Sequence, residues 1–119
     1  MSVDLEDYYC DLPFNEWGKY EERVKKSTRK ILKLFKQYNV KATFFTLGYI
    51  AEKYPELIEE IQLEGHEIAS HGYHHFDLRK LTKKDFEDDL KKSIQVLESV
   101  SNDKIIGFRA PFFSINKEN

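Results

Sequence analysis

Three carboxylates fall within four residues near the start of the chain, in Asp4-Leu5-Glu6-Asp7, and three of the four histidines fall within five positions, in His71-Gly72-Tyr73-His74-His75. Acids held this close repel one another, so one of them is expected to hold a cation or to have its pKa raised. The same residues also read as an acidic turn that caps the segment after it, and the residues alone leave both readings open. His71 and His75 are four apart and can reach one divalent ion if the backbone between them turns as a helix does. Imidazole with carboxylate is a common donor set for zinc, although hydrogen-bonded loop histidines would look the same in sequence. Gly72 stands where His-Glu-x-x-His proteases carry their glutamate, which argues against that mechanism.

Arg109 follows an apolar run and precedes Pro111, a place from which its planar fork can orient a carboxylate or make an ordinary salt bridge. Pro111 fixes that loop and leaves the backbone N–H groups of Phe112 and Phe113 free to face an anion. Two histidines read as structural. His66 opens a strand and suits a core or capping role, and His74 is expected to point away from the pair or to pack on Tyr73. The five glycines are scattered singly, so no phosphate-binding loop is present, and no serine nucleophile elbow or Cys/His pair exists.

These residues need elements to bring them together. Short apolar runs at Ser2–Leu5, Ala42–Leu47, Glu67–Ser70 and Lys104–Phe108 alternate with amphipathic stretches. Val24, Ile31, Leu34, Phe35 and Tyr38 recur at helical spacing, and Asn39 ends that helix. Pro55 and Gly65 bracket a second helix. Thr82 with Asp85 opens a third, whose stripe is Phe86, Leu90, Ile94 and Leu97. The pattern βαβαβαβ predicts an α/β fold with parallel strands, right-handed crossovers and helices over the sheet. Ligands in such folds gather beyond the carboxyl ends of the strands. Asp4, Glu6 and Asp7, then His71, His74 and His75, then Arg109, all stand at those ends.

The chain has 119 residues, 40% of them apolar, which suits one domain or part of one. The net charge of −2 disfavours generic nucleic-acid binding. Arg23–Lys41 is basic and Glu52–Glu67 mostly acidic, read here as solvated helix faces. No apolar run approaches the ~18 residues of a membrane span, and the first residues are acidic where an export signal would be basic and then apolar. Cytoplasmic location is the expectation for the chain as written. Cys10 is the only cysteine and forms no internal disulfide.

With these residues in hand the chain resembles the polysaccharide deacetylase family, carbohydrate esterase family 4 or the NodB-homology domain. Ser2-Val-Asp-Leu-Glu-Asp-Tyr8 resembles its first motif, His71-Gly-Tyr-His-His75 its second and Arg109-Ala-Pro-Phe112 its third, in the same order. The resemblance implies a metal-dependent hydrolase that removes N-acetyl groups from a polysaccharide or amino sugar. It implies Asp4 as general base, His71 and His75 as ligands of a divalent metal ion, zinc above others, and Arg109 as the residue that orients the base. The Phe112 N–H would be an oxyanion donor. Most members carry two adjacent aspartates, whereas Leu5 follows Asp4 here, so the third ligand shifts to Glu6 or Asp7. Glu6 is preferred because strand alternation puts it on the side of Asp4. Family members are often exported, and their proton donor is a histidine in a later motif.

Two other functions stay in view. One is a metal-independent cyclic-amide hydrolase of the allantoinase-like branch, which the His71 and His75 pair disfavours. The other is a non-catalytic metal- or carbohydrate-binding half-domain. At ~30 residues per βα unit the chain holds about half of a (β/α) barrel, which usually takes 200 or more. Residues 1–119 are therefore expected to be one deacetylase-type domain that stops short. Its open sheet edges are expected to be covered by a second copy or another chain. Tyr8, Tyr9, Phe14 and Trp17 could stack on sugar rings or form core.

Overall fold

The computed structural model describes residues 1–114. Three parallel strands, β1 (Ser2–Leu5), β2 (Thr43–Thr46) and β3 (Glu67–Ser70), pair in the order β1-β2-β3. Their register sets Asp4 beside Phe45 and Phe45 beside Ala69. Helices α1 (Val24–Gln37), α2 (Gly48–Lys53), α3 (Pro55–Leu63) and α4 (Lys83–Ser101) connect or follow the strands. The α/β class and parallel pairing are as expected, and none of the described helices is long and apolar enough to cross a membrane.

The sequence signals for the helix ends hold in detail. Thr82 Oγ1 accepts from the Asp85 N–H at 3.1 Å and opens α4, and Asn102 closes it at φ 56°. Asn39 leaves α1 at φ 53°, and Gly65 follows α3 at φ 87°, the left-handed conformation that glycine and asparagine tolerate best. The core joins Leu5 and Phe44 of the sheet to Ile50, Leu57, Ile58 and Ile61 of the helices and to Leu97 of α4.

Three expectations change. Lys104–Phe108 is not a fourth strand: it makes a single parallel bridge, Ser70 to Phe108. The N–H of Lys104 is taken by the Asp103 side chain and that of Ile105 by Glu98, so these donors never join a ladder. The buried stripe of α1 is Val24, Thr28 and Leu32 with Ile31 and Phe35 beside it, whereas Leu34 and Tyr38 are 53% and 69% exposed. At 3.6 residues per turn those two lie off the stripe. The sequence also gave no sign of α2, which has no side-chain cap and begins directly on Gly48.

The basic and acidic stretches face each other as well as solvent. Lys25 meets Glu56 at 3.0 Å, Arg29 meets Glu60 at 2.9 Å and Lys36 approaches Glu64 at 3.9 Å, which ties α1 to α3 and to the residue just past its end. Exposed pairs of this kind are weakened by solvent and by the entropy of holding long side chains, so they fix alignment more than stability. The aromatic loop divides. Tyr9 and Trp17 are core, with the indole N–H donating to Leu12 O at 2.9 Å, while Tyr8 and Phe14 stay exposed.

His66 is a core residue, as its place in the sequence suggested: its Nδ1 accepts from the Ala42 N–H at 3.0 Å. Burial, then the charge of Lys41, holds it below the usual histidine pKa. A base whose folded pKa is depressed takes up protons on unfolding. Its neutral form therefore stabilises the fold above about 6.5, and that stability is lost as pH falls through this value. In urea titrations with chelator present, the midpoint is expected to fall between pH 7.5 and 5.5. His66→Asn is expected to show a shallower fall, and an equal slope in both proteins would refute the role of His66.

Candidate functional site

β1 delivers Asp4 and, one step past its end, Glu6. The chain leaving β3 delivers His71 and His75, and the loop after α4 delivers Arg109. Alternation along β1 sends Asp4 and Glu6 to one side and Asp7 to the other. Asp7 is 5% exposed and fully engaged, because its carboxylate accepts from the N–H groups of Tyr8, Arg23 and Val24 at 2.9, 2.7 and 3.0 Å. It thus caps the start of α1, where acids also complement the helix dipole. Both readings of the acidic run hold at once: Asp7 is the cap, and Asp4 and Glu6 face the histidines.

The donor atoms of Glu6, His71 and His75 lie within 4.8 Å of one another. The loop between the histidines is not helical. Gly72 at φ 81° and His75 at φ 58° turn it instead, and the two rings meet 5.0 Å apart. Gly72 N–H donates to Ser70 Oγ at 3.1 Å, and that hydroxyl is paired with Ser93 of α4 at 2.7 Å. The start of α2 supports the loop from beneath, with Gly48 N–H bonded to Gly72 O at 2.9 Å. A Cβ at Gly48 would lie 2.6 Å from the Tyr73 ring, so the close approach depends on glycine.

Arg109 ties these parts together. Its guanidinium donates to Asp4 Oδ1 at 2.8 Å and to Ser2 Oγ at 2.7 Å, and it lies over the Phe45 ring at 4.2 Å. Its carbonyl accepts from His71 Nδ1 at 2.7 Å. With Nδ1 as donor, His71 Nε2 keeps its lone pair and faces Asp4 Oδ2 and Glu6 Oε1, each at 3.9 Å. His71 is 2% exposed, and burial holds its pKa below the usual histidine value despite the nearby carboxylates.

The donor set suits a divalent cation. A neutral imidazole lone pair aimed at two carboxylates gains nothing without a positive charge between them. Glu6 Oε2 is buried with no hydrogen-bond partner, and His75 Nε2 sits 2.6 Å from it without hydrogen-bond alignment. Buried carboxylate oxygens without a donor are costly, and coordination is one of the few ways to satisfy them. One carboxylate with two imidazoles is also a usual zinc set that leaves positions open.

Phe112 adopts φ 56°, is 45% exposed, and packs its ring 4.8 Å from His75. His74 points away from the pair, bonded through Nδ1 to Asp89 at 2.7 Å and packed on Tyr73. Cys10 accepts from the Asp7 N–H, and burial pushes its thiol up to about 12, so it is not a nucleophile. Ser2, Phe45 and Asp89 escaped the reading of chemistry in the sequence. Ser2 stood inside the first motif, but Phe45 and Asp89 meet their partners only through the fold.

The polysaccharide deacetylase profile matches residues 14–119. The chain belongs to this family. It is 39% identical over 88 residues to a peptidoglycan-N-acetylglucosamine deacetylase of Bacillus cereus, covering 74% of this chain and 32% of that one. A solved Mycobacterium smegmatis chain assigned to polysaccharide deacetylases superposes with a TM-score of 0.85 at 28% identity, over 99% of this chain and 44% of that chain. A CE4 family pseudoenzyme from Bacillus anthracis superposes at 0.79 and 24% identity, over 98% and 36%, which speaks to the fold alone. The three strands and their helices thus match part of the family's fold, and the chain spans about a third of the curated relative's length.

The division of labour among the acids has a stability signature. Asp7→Ala is expected to lower the unfolding free energy in urea by about 1–3 kcal/mol through the lost cap and three unpaired N–H groups. Metal-free Glu6→Gln is expected to be at least as stable as wild type, since it removes a carboxylate whose Oε2 is buried without a hydrogen-bond partner. A large loss for Glu6→Gln, or none for Asp7→Ala, would reverse the assignment.

Proposed function

We propose that this chain carries the metal-binding and base-bearing part of an N-deacetylase site, acting on the N-acetyl groups of a polysaccharide or amino sugar. The observation that supports this best is the meeting of Glu6, His71 and His75 beside an Asp4 carboxylate that Arg109 holds in place. The family match and the curated relative's activity on peptidoglycan N-acetylglucosamine point the same way.

In this reading Glu6, His71 and His75 hold a divalent cation, zinc by donor type. Bound there, such an ion polarises the amide carbonyl and eases deprotonation of a water. Asp4 takes the proton of the attacking water, with Arg109 holding the carboxylate aimed at it. The Phe112 N–H donates to the oxygen that gains charge as water adds to the carbonyl. The carbon–nitrogen bond then breaks as the proton held by Asp4 passes to the departing nitrogen, giving acetic acid and an amine, which exchange the remaining proton to leave acetate and an ammonium. A second reading, a metal- or carbohydrate-binding unit without turnover, is kept in view because the same fold occurs in a pseudoenzyme.

Purified protein is expected to bind about one equivalent of zinc and to release amine from an N-acetylated oligosaccharide. His71→Ala is expected to lose the zinc. Asp4→Asn should keep the zinc and lose activity by ~10²–10⁴, the usual weight of a general base. No bound zinc, with no change on His71→Ala, would sink the metal site. Bound zinc without amine release would leave the second reading.

A further inference from the structure

The two histidines of the site are supported unequally. His71 Nδ1 donates to the Arg109 carbonyl at 2.7 Å, a fixed backbone partner that sets its tautomer. His75 Nδ1 is buried and has no hydrogen-bond partner. His75 is otherwise tightly held: its side chain is 3% exposed, between the His71 ring at 5.0 Å and the Phe112 ring at 4.8 Å. Those ring contacts fix the plane of the imidazole but leave its tautomer undetermined. A buried N–H without an acceptor is costly, and metal-ligating histidines almost always donate their outer nitrogen to a carboxylate, carbonyl or water.

One carboxylate is within reach. Asp11 Oδ1 lies 3.7 Å from His75 Nδ1, and its side chain is 70% exposed, free to change rotamer. Its backbone is not free. Asp11 lies inside the second of two overlapping tight turns, Cys10 N–H to Asp7 O and Leu12 N–H to Tyr9 O, each 3.0 Å, and Leu12 O is pinned by the Trp17 indole. A rotamer change of under an ångström at the carboxylate would close the gap to hydrogen-bond distance. Asp11 also lines, with His74, His75, Phe76 and Phe112, an open cleft of about 530 Å³ beside the site.

We infer that Asp11 is a positioning residue, which accepts the His75 Nδ1–H and fixes the Nε2 lone pair toward the shared cation. This rests on the zinc-site reading above. The two ligands would then be oriented by different means, His71 by a rigid carbonyl and His75 by a mobile carboxylate on the cleft rim.

Zinc affinity of the full chain, measured by chelator competition, tests this together with the exchange of ring N–H protons in ¹⁵N-histidine-labelled, zinc-loaded protein. Asp11→Ala is expected to weaken zinc binding ~10–100-fold. It should leave the metal-free melting temperature unchanged, because the side chain is exposed. The slowly exchanging His75 Nδ1–H should become fast, while that of His71 stays slow as an internal control. Asp11→Glu is expected to restore most of the affinity. Wild-type affinity and unchanged His75 exchange in Asp11→Ala would overturn the inference while leaving the metal site standing. Failure of the wild type to bind zinc would overturn both, and the two failures are told apart by the wild-type titration alone.

Discussion

Arg109 crosses the mouth of the sheet, and the site depends on that crossing. Its N–H bonds Ser70 O beside β3, its carbonyl holds His71, its guanidinium lies over Phe45 of β2 and then reaches Asp4 and Ser2 of β1. Strands β1 and β3 are not neighbours, since β2 separates them. A single residue, by its backbone on one side and its extended side chain on the other, therefore links the carboxylates of the first strand to the imidazoles that follow the third. A planar fork that is always charged suits this task, and lysine could reproduce neither the two-point grip nor the stacking.

The rest of the fold gives that crossing a firm base. Below the strand ends, Phe44, Leu47, Ile50, Leu57, Ile58 and Ile61 are entirely buried, so β2, α2 and α3 pack as one apolar unit. Gly107 passes close enough to Ala69 that an added Cβ would stand 3.0 Å from it, which lets the loop before Arg109 lie flat on the sheet. Above the strand ends the balance reverses. Lone pairs and negative charge collect there without donors, at Glu6 Oε2 and His71 Nε2. Proteins tolerate such local frustration mainly where a ligand relieves it. A chain described as a pseudoenzyme shares the fold, so the fold does not decide turnover, and the local arrangement of Asp4, Glu6, His71 and His75 must.

Much of this was legible in the residues themselves. Strand-end placement grouped Asp4, Glu6, His71 and His75 because in a parallel α/β sheet every strand points its carboxyl end the same way, and Arg109 joined them although the run before it formed only one bridge. Thr82, Asn39 and Gly65 announced helix ends because capping and left-handed turns are decided within a few residues. Alternation along a strand separated Glu6 from Asp7, a consequence of the two-residue period alone.

What the tertiary structure decided is what depends on partners distant in sequence. The fourth apolar run shrank to one bridge because Asp103 and Glu98 took its donors, a competition no local propensity records. Helix α1 buried Thr28 and Leu32 where the pattern offered Leu34 and Tyr38, because the core chooses which stripe faces inward. Asp7 became a cap only when the start of α1 was folded onto it. The sequence by itself determined which residue types reach the strand ends and on which face. The packing of loops against α2, α4 and Arg109 decided their separations, because ångström distances between groups as far as 105 residues apart in sequence arise only once the chain has closed on itself.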